Sequence, residues 1–236
     1  MTEMSTCDEA ILLCEICRRL HTSASVTPLA LCYFFDLIKE GWKPDETLSV
    51  EIMIGSCILL ACKELEEGHR SRDVAIAVAT SLITSPNSFQ HPDLTLGLVP
   101  HNMNLIGTDS LISIYDCVRS FIGKGELILL RFLKFNLQRE HPLLFFTTWL
   151  QRKFELKILN PTDFQCRSIF SLILTGLTDD DVHFELRKEH YEDVLEAGLV
   201  ISSQLLTPNQ IIEIKNDRID RIATLLLKVV QKNLIG

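Results

Sequence analysis

Apolar residues recur at helical spacing along most of this chain, and no stretch alternates long enough to predict a strand. The pattern predicts a first helix over 9–21, capped by Asp8, with Ile11, Cys14 and Cys17 on its apolar side. Thr27-Pro28 reads as an N-cap followed by proline at the first helical position, opening a second helix that Gly41 and Pro44 end near Glu40. A third helix opens at Thr47 or Ser49 and runs to Glu67, with Gly68 as its stop. Within it, Ile52 to Cys62 is free of charge. A helix with no polar face is surrounded by others, so this one should surface abruptly at Lys63 and the acids Glu64, Glu66 and Glu67. Ser71 is expected to cap a fourth helix over 72–84. A fifth spans 109–135 and holds Gly123-Lys124-Gly125, where a kink is expected.

Two interruptions divide the pattern. The segment 85–108 carries Pro86, Pro92 and Pro100 among polar residues, and loops of that length are usually functional or disordered. His141-Pro142 marks the second. Beyond it, helices are predicted over 142–155, from Pro161 to Leu177, over 190–206 and over 209–234, the last broken near Lys215. Asp179-Asp180-Asp181 reads as a solvated acidic turn. The expectation is an all-α protein with one helical domain over 8–138, carrying the loop insertion 85–108, and a second over 139–236.

Composition narrows the function. Hydrophobic residues make up 47% of 236, with eight prolines and ten glycines, which is a packed globular balance. A net charge of −8 argues against sequence-independent nucleic-acid binding, which depends on Lys and Arg neutralising phosphates. Most of the eight cysteines sit inside apolar runs, as buried free thiols do in a reducing, intracellular setting. Met1 to Asp8 is polar and acidic, unlike a secretory signal, and the longest uncharged apolar run is too short for a membrane span. Cys14-x-x-Cys17 resembles half of a zinc site, but no second pair follows and both residues lie on an apolar face, so no metal is expected. Cys32, Cys57 and Cys117 have no base nearby in sequence to activate them. There is no glycine-rich phosphate loop. No cofactor and no small-molecule substrate are expected. Thr27 and Thr207 precede prolines as helix caps; Ser85-Pro86, in the long loop, is the candidate proline-directed phosphorylation site.

The order of motifs resembles the cyclin family. Leu60-Ala61-Cys62-Lys63 followed by acids is similar to the cyclin-box run of small and apolar residues, then lysine, then Glu-Glu. Glu126-Leu127-Ile128-Leu129-Leu130-Arg131-Phe132-Leu133-Lys134-Phe135, then His141-Pro142, is similar to the end of the fifth cyclin-box helix and the opening of the second box. Arg72-Asp73-Val74 fits the start of the fourth helix. The match covers about residues 10–150 and looks most like transcription-type or cyclin Q-like members.

The resemblance implies two stacked five-helix cyclin-box domains, the second shortened or divergent. It implies an activating subunit of a cyclin-dependent serine/threonine kinase that does no chemistry itself, in the nucleus and also the cytoplasm. Lys63 and Glu126 would be the kinase-contacting pair, supported by Leu65, Glu66 and Leu130. Two further readings stay open. Glu64 and Leu65 between the lysine and Glu66-Glu67, the two glycines and the insertion fit a divergent cyclin-like scaffold that promotes meiotic crossover formation. General transcription factors of the IIB type share the fold, but they need a basic face.

Overall fold

The computed structural model describes residues 6–44, 48–84, 108–155, 163–206 and 216–235. The expectations placed on Thr47, Ser85, the 85–107 segment, Pro161, Thr207 and Lys215 lie outside these residues. The described residues are helical and include no strand, as the apolar spacing predicts. The chain divides into two units, Met1–Gln138 and Arg139–Gly236.

In the first unit, helices α1 (Thr6–Leu20), α2 (Val26–Lys39), α3 (Val50–Glu64), α4 (Ser71–Thr84) and α5 (Thr108–Phe132) pack around α3, which touches all four others. Every residue of α3 from Glu51 to Cys62 is buried. Its N-terminus is set by Ser49, whose hydroxyl accepts from the Ile52 N–H at 3.4 Å. Tyr33, Phe34 and Phe35 of α2 are among the largest fully buried side chains, and the Tyr33 hydroxyl donates to the Leu137 carbonyl at 3.1 Å, tying the end of the unit to its core.

Several helix boundaries depart from the expected ones. The first helix starts at Thr6, so Asp8 lies in its first turn and does not cap it. The second helix starts at Val26, so Thr27-Pro28 lies inside its first turn, where a missing N–H still costs nothing. The fourth begins at Ser71, and it is Asp73 that reaches back, accepting from the Arg70 N–H at 2.8 Å. The third stops at Glu64, short of Gly68. Its last carbonyls are met by the Glu67 N–H on Cys62 and the Glu66 N–H on Lys63, with Glu66 in the left-handed region at φ 54°. The same closure ends α1 at His21, α2 at Gly41 and α5 at Lys134. Of the five left-handed positions among the described residues, His21, Gly41, Glu66, Lys134 and Phe135, only Gly41 is a glycine, which is why glycine alone misplaces the ends.

The second unit opens with a 3₁₀ turn, Pro142–Phe145, followed by α6 (Phe146–Glu155), α7 (Asp163–Leu177), α8 (Asp180–Lys188), α9 (Tyr191–Leu206) and α10 (Asp217–Ile235). Helices α7, α9 and α10 pack on one another, and α8 lies against α7 and α10. The acidic triplet is not a solvated turn. Asp179 is buried, caps α8 through the Val182 N–H at 3.4 Å, and pairs with Lys232 of α10 at 2.7 Å. Glu189, at the end of α8, holds Arg218 at 2.9 Å and also pairs with Arg221.

His141 caps the 3₁₀ turn. Its Nδ1 accepts from the Leu143 N–H at 3.1 Å, so the neutral ring carries its proton on Nε2, which is buried without a partner among the described residues. Burial first, then the His183 ring 6.4 Å away and Arg187, hold its pKa well below the ordinary value. A depressed histidine takes up protons on unfolding. Stability is therefore complete above the unfolded value of about 6.5 and falls as pH drops below it, by up to about 1.4 kcal/mol per pH unit. Urea midpoints of the second unit should decline between pH 7 and 5, and His141→Asn, whose Oδ1 can keep the cap, should flatten that slope. An unchanged slope in the variant would remove His141 as the cause.

Candidate functional site

The tip of α3 and the middle of α5 form the candidate site. Lys63 lies in the last turn of α3, one residue past the buried run, where its charge also suits the carbonyl end of the helix. Its Nζ meets Glu126 Oε1 of α5 at 2.5 Å; the lysine side chain is 55% exposed and the glutamate 13%. Such a surface pair contributes at most about 1 kcal/mol to folding. The ammonium has three donors and the carboxylate about four acceptor sites, so the pair keeps capacity for further hydrogen bonds.

Glu126 reaches the tip because α5 approaches α3 closely. A Cβ on Gly125 would stand 2.3 Å from Ser56 Oγ and 3.3 Å from Ser56 Cβ. That hydroxyl donates within α3 to the Ile52 carbonyl at 2.8 Å and lies 3.1 Å from the Ile122 carbonyl of α5. Gly125 thus serves the contact inside the unit. Gly123 does not: a Cβ there would meet nothing within 4 Å. At roughly 1 kcal/mol against alanine in a helix interior, its presence has no explanation within the described fold. The helix continues through both glycines as one element, Thr108–Phe132.

The remaining expected residues fall at the same two places. Leu65, half-buried, is the C-cap of α3, and Glu66 is exposed in the left-handed turn that follows. Leu130 is half-buried, one turn beyond Glu126 on α5. Ser85 lies outside the described residues. Leu127, which the sequence did not single out, is 60% exposed next to Glu126. It looked like one more leucine of the apolar run, and only the orientation of α5 separates it from buried Leu129.

Four of the cysteines are held as neutral thiols. Burial pushes the Cys14 thiol up to about 12, aided by Cys17, and the Cys17 thiol up to about 12 against a hydrogen bond with Thr27; it pushes Cys62 to about 11, aided by Glu67. Burial raises Cys57 as well. Thiols held this far from ionisation are poor nucleophiles and poor ligands. Among the described residues no group of His, Cys, Asp and Glu is placed to hold a metal ion, and no helix is long and apolar enough to cross a membrane.

No protein-family model matches this chain, and no curated protein matches it.

Proposed function

We propose that this chain is a regulatory subunit that binds and activates a cyclin-dependent serine/threonine kinase, in transcription or cell-cycle control. In this reading the two helical units are cyclin boxes, the second shortened, and the protein acts in the nucleus and also the cytoplasm. The observation that carries it is the Lys63–Glu126 pair: two residues 63 positions apart, singled out by the resemblance, meet on the surface at the end of a buried helix. The remaining donors and acceptors of the pair would bond carbonyl and N–H groups of an incoming kinase helix and fix its direction. Leu65 and Leu130 would add apolar contact and Glu66 a charged rim. A kinase helix held this way keeps its own glutamate on the ATP-site lysine, which is the positioning catalysis requires.

Mixing the purified chain with each member of a panel of purified cyclin-dependent kinases tests this. Phosphorylation of a Ser-Pro peptide should rise at least tenfold with one of them. No binding across the panel overturns the reading. Binding without activation favours the second reading, a cyclin-like scaffold for meiotic crossover formation, which the two-residue spacer Glu64-Leu65 before Glu66-Glu67 supports.

A further inference from the structure

From the two glycines of α5 we infer that the partner's helix crosses α5 at Gly123, with Leu127 as its apolar anchor, and that this helix is amphipathic and acidic. The inference rests on the reading of Lys63 and Glu126 as partner-contacting. Gly125 is accounted for by Ser56, whereas the space over Gly123 is open. Asp116, Ser120, Gly123, Leu127 and Leu130 follow one another at alternating four- and three-residue steps, so they form one stripe along α5. Asp116, Ser120 and Leu127 are exposed and the other two half-buried. The distance between packed helices is set by the side chains at their crossing, so a stripe that dips at glycine and rises at Leu127 admits a helix closely at one point and grips it at the next turn.

Charge gives the occupant its character. The protein carries −8 overall, yet among the described side chains of α5 the exposed charges are Asp116 against Arg119, Lys124 and Arg131. Lys124 and Arg131 border the stripe on the side away from Glu126, and Lys124 stands 5.0 Å over the Phe121 ring. A helix with an apolar strip for Leu127 and Leu130 and carboxylates for Lys124 and Arg131 complements this face; a second copy of this acidic chain would have to bring its own acidic segment there.

The test uses the full chain and the kinase of the panel that Lys63→Glu releases. Gly123→Leu should weaken binding at least thirtyfold and Leu127→Ala about tenfold. Gly123→Ala should raise the melting temperature by about 2–8 °C, since nothing inside the unit opposes the added methyl. Lys124→Glu with Arg131→Glu should weaken binding at least tenfold at low salt. If Gly123→Leu binds like the parent while Lys63→Glu releases the kinase, the crossing is overturned and the docking reading stands. If Lys63→Glu releases no kinase of the panel, the docking reading falls and the crossing with it. A dimer of the free chain that Gly123→Leu dissociates would make a second copy the occupant and also overturn the proposal.

Discussion

Lys63→Glu is expected to abolish kinase capture while leaving the first unit folded. The side chain is 55% exposed and its one ion pair lies at the surface, so the fold should lose no more than about 1 kcal/mol beyond the repulsion from Glu126. On the docking reading, the interface loses far more. Three donors disappear, and a carboxylate takes their place beside a glutamate that is only 13% exposed, in a patch that already holds Glu64 and Glu66. Truncating one partner of a desolvated charged contact costs about 2–5 kcal/mol, a loss of some 30- to several-thousand-fold in affinity. Binding to the activating kinase should be measured beside a thermal melt, with Lys63→Met separating the missing donors from the reversed charge. A dissociation constant within threefold of the parent's would end the role assigned to Lys63.

Gly125 should respond in the opposite way to Gly123. Alanine at Gly125 places its methyl 2.3 Å from Ser56 Oγ. The hydroxyl must rotate away, giving up its contacts with Ile52 and Ile122, or the helices must part. Overpacking of this kind costs about 1–3 kcal/mol, which outweighs the intrinsic gain of about 1 kcal/mol for alanine over glycine. Gly125→Leu should exceed about 3 kcal/mol or fail to fold. The contact is specific, so it should show in a double-mutant cycle. Ser56→Ala removes the obstructing oxygen, and the pair Gly125→Ala with Ser56→Ala should recover at least about 1 kcal/mol over Gly125→Ala alone. Denaturant titration measures all four corners of the cycle, and strict additivity would show that the close approach of α5 to α3 does not depend on this pair.

How much of this was legible beforehand varied with the kind of signal. Burial of α3 was, because eleven residues without a charge leave a helix no face for water. The all-helical class was as well, from periodicity alone. The end of α3 was not, because a left-handed closing residue need not be glycine, and Glu66 gives no local sign of taking that conformation. Helix α8 hid behind Asp179-Asp180-Asp181, which reads as a turn until Lys232, 53 positions away, supplies the cation that lets Asp179 be buried as a cap. The meeting of Lys63 and Glu126 follows from motif order only through a resemblance; the close approach that permits it is written in Gly125 and Ser56, which have no meaning until the two helices are placed side by side.

A helix without a free face also limits how a lineage can change. From Glu51 to Cys62 each side chain of α3 answers to several neighbours at once, so substitutions there are screened for volume before anything else. Within α3, variation that alters the surface must therefore gather at the tip, in the few residues from Lys63 to Glu67. The two-residue spacer before Glu66-Glu67 lies in that permissive stretch, where the surface can change while the core stays as it is.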